Sequence, residues 1–372
     1  MKKIMFLSHT AKLGGAERSL LDILKYIDKD KFQPYFVCFE EGPLTKAASE
    51  IKGVEVNIIP FSKKIISFNR DTNSLFQLIY ALLLIKPLLK LIMLAHLKKI
   101  DIIYSNSMKA HFIGVLLGKI TNKPVIWHVR DILEEGLYKK LFRLFSKFTR
   151  KIICISKAVS EQFSHPDIEI VYNGLSTTMN RSKHEIIEKK ENDYFIGMIG
   201  QLAKWKGQDI FVKAANILVK KYPNMKFLVI GDTLFEKEAD FKKHIKFLAK
   251  ENPNIIFTGY KENVQDYLSQ LDLLVHASVK PEPFGRVIIE AMANKVPVIA
   301  TCIGGPLEII EHNKNGILYK PNSVDDLVKT IEYLYSNKNL TEELIYNGYK
   351  TFINRFTIQK TVSSIERIIE EL

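Results

Sequence analysis

Cysteine is scarce. The 372 residues hold three, Cys38, Cys154 and Cys302, each in an apolar setting and without metal-ligand spacing. That excludes a disulfide scaffold and a zinc ribbon and fits free core thiols in a reducing compartment. Long apolar runs are missing too. Within the apolar segment 75–97 the longest unbroken stretch is 78–85, ended by Lys86 and Pro87, whereas a membrane span needs about 20 residues. The start, MKKIMFLSHT, places four apolar residues before Ser8. A secretory core needs roughly 7–15, so a first β-strand of a cytoplasmic protein is expected there. No Gly-x-Gly-x-x-Gly follows a strand pattern, which argues against a dinucleotide-dependent reductase. No basic–aromatic repeat suggests nucleic acid. Asp28-Lys29-Asp30 has metal-binding form but lies between a helix end and the next strand, and reads as a solvated loop. No other carboxylate or histidine cluster has metal spacing, so no metal is expected.

Acidic residues are short in one half only. Residues 1–185 carry 29 Lys+Arg against 17 Asp+Glu, a net +12; residues 186–372 carry 25 against 24, a net +1. The total of +13 therefore belongs to the N-terminal half. It fits either an anionic partner for that half or plain solubility. What is abundant is ordinary globular material, 47% hydrophobic and 26% charged, in a chain long enough for two cores.

Short apolar runs at 3–7, 34–39, 54–59, 102–104, 125–128 and 152–155 read as strands covered on both faces. Helical patterns at 16–26, 75–98, 111–119 and 137–148 fall between them, which predicts a parallel doubly wound sheet. The polar segment 177–193 reads as a linker. Strands at 195–199, 227–230, 255–257, 273–275 and 298–300 then alternate with helices at 209–221, 236–250, 264–268 and 287–293. The expectation is an N-terminal domain over 1–180, joined by a C-terminal helix over 356–372, and a C-terminal domain over 186–355. Ligands of such sheets sit at the carboxyl ends of the strands, which puts the expected site in an interdomain cleft.

The densest chemistry lies in EPFGRVIIEAM, residues 282–292. Pro283 biases Glu282 out of the α region, and Gly285 lets backbone approach a ligand before an apolar helix starts at Val287. Glu282 and Glu290 therefore flank a helix N-terminus. Its N–H groups favour a phosphate, and carboxylates on either side suit vicinal hydroxyls. That pattern describes a nucleotide-sugar. Upstream, Gly200-Gln201-Leu202-Ala203-Lys204-Trp205-Lys206 leaves a strand and ends in a lysine placed to meet a diphosphate.

With Lys12-Leu13-Gly14-Gly15-Ala16-Glu17, Trp127-His128-Val129-Arg130-Asp131, Ile153-Cys154-Ile155-Ser156 and Val171-Tyr172-Asn173-Gly174, these motifs make nearly the whole chain resemble a retaining GT-B glycosyltransferase of family four. This is the group with a Glu-x7-Glu motif. The resemblance implies that Glu290 binds ribose, and that Glu282 with the Phe284 and Gly285 amides holds the transferred sugar. Lys206 and the helix N-terminus would neutralise the leaving diphosphate, and His128 would sit beside the reacting sugar. Gly200, Gln201, Val287 and Tyr260 join the expected donor site. Gly14, Gly15, Arg130 and Ser107 form the expected acceptor or phosphate loop. Gln201 departs from the family, where many members have arginine.

The expected activity is transfer of a hexosyl or N-acetylhexosaminyl group from a nucleoside-diphosphate sugar, UDP favoured over GDP, to a lipid-linked or polysaccharide hydroxyl. No cofactor, metal or nucleic acid is expected. A nucleotide-sugar epimerase on a related fold and a non-catalytic sugar-nucleotide binder are the alternatives. Residues 137–151 carry Leu137, Leu141, Leu144, Phe145 and Phe148 among Lys139, Lys140, Arg143, Lys147, Arg150 and Lys151. That reads either as a core-facing helix with a solvated side or as a basic surface resting on the inner face of an anionic membrane.

Overall fold

Apolar β-branched segments pair side by side in a computed structural model that describes residues 1–62, 74–177, 187–234, 236–250 and 252–372. The chain divides into two units, Met1–Gly174 with Ile358–Leu372, and Leu175–Thr357. Most of the linker expected over 177–193 lies outside the described residues.

The first unit holds a seven-stranded sheet of β1 (Lys2–Ser8), β2 (Phe32–Cys38), β3 (Glu55–Ile58), β4 (Ile102–Ser105), β5 (Val125–Val129), β6 (Lys151–Cys154) and β7 (Ile168–Ile170). Their order is β3-β2-β1-β4-β5-β6-β7 and every pairing is parallel. Parallel neighbours need crossover helices, and both faces are covered accordingly. The terminal helix Ile358–Glu370 closes this core with Ile358, Val362, Ile365, Ile368 and Ile369.

The second unit holds six parallel strands: β8 (Tyr194–Ile199), β9 (Met225–Ile230), β10 (Ile255–Gly259), β11 (Leu273–His276), β12 (Val298–Thr301) and β13 (Ile317–Tyr319), ordered β10-β9-β8-β11-β12-β13. Two parallel-sheet α/β units are the GT-B architecture expected from the sequence. The edge strands β7 and β13 were not among the sequence expectations. Three residues each are too short to carry a periodic signal.

Among the described residues no helix is long and apolar enough to cross a membrane. The helix Leu137–Ser146 is oriented differently from a core-facing leucine stripe. Phe142 points inward and stacks on Trp127 with ring centroids 4.6 Å apart, and Lys139 is buried against Glu135 at 2.6 Å. Leu137, Leu141, Leu144 and Phe148 face outward at 74%, 40%, 49% and 47% exposure. Leu89, Met93 and Leu97 of the helix Ser74–Leu97 are exposed as well.

Candidate active site

In the second unit the order of strand addition reverses between β8 and β11. Loops leaving two such neighbours diverge, and the crevice at their carboxyl ends is where open α/β sheets take ligands. The loop after β8 runs through a short 3-10 turn, Lys204–Lys206, into the helix Gln208–Lys221. Gly207 joins them at φ +77°, and a Cβ there would come within 2.1 Å of the Ala277 carbonyl oxygen. Only glycine lets the turn lie this close to the end of β11. Val279 N donates to Trp205 O at 2.8 Å and ties the same two loops.

Lys206 crosses this junction. Its stem runs beside Gly200, and its Nζ lies 2.7 Å from Glu282 Oε1. Glu282 is anchored from behind, where Gly305 N donates to its carbonyl at 2.8 Å. A Cβ on Gly304 would approach that carbonyl to 2.6 Å, so the glycine pair after β12 serves to seat Glu282. Its other carboxylate oxygen, Oε2, accepts from Ser278 Oγ at 2.7 Å and faces His276 Nε2 at 2.5 Å. Burial alone would raise the Glu282 pKa. The Lys206 ammonium and the His276 ring outweigh it and hold the carboxyl well below the usual range. At neutral pH the site therefore contains a buried carboxylate bonded at both oxygens.

Gly285 caps the helix Arg286–Ala293. Glu290, one turn in and buried, accepts from Arg286 Nε at 2.8 Å, and Val287 is half-buried on the same helix. Phe284 turns its ring inward against Phe356, centroids 5.8 Å apart. Gln201 gives its amide to Glu238, at 2.9 and 2.8 Å from the two oxygens. Tyr260 follows β10 at the sheet edge and is 57% exposed.

The first unit has its own reversal between β1 and β4, and polar groups gather at the carboxyl ends there. Gly14 opens the helix Gly15–Tyr26 and donates to Glu17 Oε2 at 3.1 Å. Burial, the larger effect, raises the Glu17 carboxyl. Ser107 Oγ accepts from His9 N at 2.9 Å. Arg130 follows β5 with its guanidinium spread over three partners. Nε donates to Asn106 Oδ1 at 2.8 Å, Nη1 to Asn173 Oδ1 at 2.5 Å, and Nη2 lies 3.3 Å from His128 Nδ1.

His128, expected beside the reacting sugar, is the last residue but one of β5. It lies inside β5 with no exposed surface, and its Nδ1 is 2.5 Å from Tyr104 Oη. Its Nε2 is enclosed without a hydrogen-bond partner among the described residues. Burial, then Arg130 and His111, push its pKa well below the ordinary value. Strand alternation aims residues 128 and 130 the same way, and Arg130 is the one at the strand end. Sequence reasoning gave no individual role to His276, Ser278, Asn106 or Asn173, although Asn173 lies in one of the motifs that carry the resemblance. Their one signal was polar residues at or shortly after the end of a strand. Among the described residues no three His, Cys, Asp or Glu side chains form a group that could hold a metal ion.

The comparisons with known proteins bear on the family and the fold. The model of glycosyl transferases group 1 matches residues 179–351, and that of glycosyltransferase family 4 matches residues 13–178. The chain is similar to the capsular polysaccharide biosynthesis glycosyltransferase CapM of Staphylococcus aureus, 30% identical over 298 residues, 74% of this chain and 78% of that one. An Escherichia coli UDP-Gal:alpha-D-GlcNAc-diphosphoundecaprenol alpha-1,3-galactosyltransferase is 23% identical over 378 residues, 95% of this chain and 93% of that one. The solved structure of Anabaena HepE in complex with UDP and glucose superposes with TM-score 0.84 at 27% identity, over 100% of both chains. The chain belongs to glycosyltransferase family 4 and is a glycosyltransferase of the GT-B fold.

Proposed function

We propose that this glycosyltransferase moves a hexosyl or N-acetylhexosaminyl group from a UDP-sugar to a hydroxyl of a lipid-linked or polysaccharide acceptor, with retention of configuration, in building capsule or cell-envelope glycan. The observation that carries the donor half is the Lys206–Glu282 pair at the β8/β11 reversal, next to a helix N-terminus that also presents Glu290. Lys206 and that N-terminus would take the charge of the leaving diphosphate. Glu290 would accept from ribose hydroxyls and Glu282 from hydroxyls of the transferred sugar. Tyr260 and the backbone near it would border the base.

The acceptor oxygen would attack the anomeric carbon from the face that the diphosphate leaves. The carbon–oxygen bond to phosphate breaks, and the departing phosphate oxygen takes the acceptor's proton. No enzyme nucleophile is required. In the first unit Arg130, Ser107 and the Gly14-Gly15 loop would receive the acceptor, with His128 acting through Arg130. UDP as carrier is supported by HepE, solved with UDP and with UDP-glucose at 27% and 26% identity. A lipid-linked acceptor is supported by the diphosphoundecaprenol in the name of the Escherichia coli relative. The outward leucine stripe 137/141/144 beside Lys140 and Lys147 supports peripheral contact with an anionic bilayer.

The test is a thermal-shift comparison of UDP with GDP, followed by incubation with UDP-sugars and a polyprenyl-diphosphate-linked glycan. Stabilisation by UDP and an α-linked product are expected from an α-configured donor. A β-linked product would overturn retention. A 2-epimer formed without acceptor would make the protein an epimerase.

A further inference from the structure

Both oxygens of the Glu282 carboxylate are bonded, and they have different partners. Oε1 meets Lys206 Nζ at 2.7 Å; Oε2 meets Ser278 Oγ at 2.7 Å and His276 Nε2 at 2.5 Å. Ser278 Oγ also lies 3.3 Å from His276 Nε2, closing a triangle of hydroxyl, imidazole and carboxylate. His276 and Ser278 are 4% and 0% exposed. The other imidazole nitrogen, Nδ1, is enclosed without a hydrogen-bond partner among the described residues. An ionised carboxylate only accepts, so the proton between the two groups sits on Nε2. The ring is thus committed in a single direction.

We propose that His276 is a positioning residue for sugar transfer: its Nε2–H, with the Ser278 hydroxyl, fixes Oε2 of Glu282 so that Oε1 is the oxygen turned to Lys206 and the donor. This rests on the reading that Glu282 meets the transferred sugar. A glutamate side chain has three rotatable bonds and would otherwise follow its cation. As negative charge grows on the departing diphosphate, Lys206 is drawn toward it. The two donors on Oε2 keep the carboxylate where positive charge develops on the sugar ring. Lys206 can then serve both charges without the site collapsing into a closed ion pair.

The experiment is a double-mutant cycle between positions 276 and 282, read as kcat and donor KM, with UDP binding and melting temperature measured on each variant. His276→Leu removes the donor and keeps bulk. His276→Gln returns an N–H at similar reach. The expected result for His276→Leu is a fall in kcat of about 10- to 100-fold, the scale of a misplaced catalytic group, with donor KM and UDP binding nearly unchanged. His276→Gln should recover most of that loss. In the Glu282→Gln background, His276→Leu should lower kcat by less than about threefold, because groups acting through one another are not additive. Ser278→Ala should give a smaller fall with the same coupling, and serves if His276→Leu does not fold. The proposal is overturned by wild-type kcat in His276→Leu, by losses at 276 and 282 that multiply in full, or by a Gln variant no better than Leu at equal melting temperature. Wild-type kinetics in Glu282→Gln would remove the proposed role of Glu282 as well. An impaired Glu282→Gln with fully multiplying losses would remove only that of His276.

Discussion

Lys206 and Glu282, 76 residues apart in the chain, meet as a buried ion pair with Nζ 2.7 Å from Oε1. Lys206→Ala should therefore act twice. Losing the cation on the leaving diphosphate should remove roughly 2–4 kcal/mol of transition-state stabilisation, the scale of one preorganised donor. Losing the partner of a buried carboxylate should also lower the melting temperature. Both kcat/KM and unfolding would be followed; near wild-type kcat/KM would sink the assignment.

The two glutamates of 282–290 should fail differently. Glu290 is proposed to hold ribose, whose charge does not change during transfer, so Glu290→Gln should raise KM more than it lowers kcat. Glu282 is proposed to face the sugar ring, where positive charge develops. Glu282→Gln should lower kcat with less change in donor affinity. The reverse pattern would exchange the two roles.

Activity should persist in excess EDTA. The proposed mechanism gives the diphosphate charge to Lys206 and a helix N-terminus, the work a divalent ion does elsewhere. Loss of turnover with chelator, restored by magnesium or manganese, would require a metal in the mechanism.

Binding to vesicles should depend on lipid charge and on the outward leucines. Leu141→Ser with Leu144→Ser should weaken binding to anionic vesicles without changing the core, because both side chains are exposed. Lys140→Glu with Lys147→Glu should weaken it further and reduce its salt dependence. Lys139 is not a useful target, being buried against Glu135. Equal binding to neutral and anionic vesicles would remove the electrostatic part.

Acid should destabilise the first unit through its buried His111 and His9. Burial pushes His111 down to about 3 and His9 to about 4, from 6.5. Below about 6.5 the unfolded chain takes up protons that these folded rings refuse, so stability falls as pH falls toward their folded values. At about 1.4 kcal/mol per pH unit per proton, His111 alone accounts for about 2 kcal/mol at pH 5. Glu282 has the same sign at lower pH, since its depressed pKa adds stability above 4.5 that is lost on acidification. Melting temperatures from pH 8 to 4.5 should trace this fall, and His111→Gln should flatten it. A flat profile in the parent protein would contradict neutral burial.

The loop-to-helix junctions that carry Lys206 and Glu282 were legible because local rules wrote them. Pro283 and Gly285 mark a loop-to-helix entry, and Lys206 stands before a glycine and a helix. His128 carried no local mark of its surroundings, because a histidine in an apolar strand reads alike whether it ends the strand or lies within it. The register of β5 leaves His128 enclosed within the strand and puts Arg130, itself buried, just past the strand's end. The helix over 137–146 left two readings open, and the structure disfavours the core-facing one. Its leucines form one face, but the aromatic cluster of Trp127, His111 and Phe112 claims Phe142 instead.

By itself the sequence determined two runs of parallel strands with helices between them, the difference in net charge between the halves, and two glutamates around a helix N-terminus. These follow from hydrophobic period and backbone preference, which act within a few residues of each other. Tertiary structure decided which oxygen of Glu282 meets Lys206, that His276 and Ser278 hold the other, and that Arg130 rather than His128 reaches the end of β5. Those outcomes depend on β8 lying beside β11 and β1 beside β4. Strand order is set by how whole layers bury their apolar faces, and no local pattern encodes it.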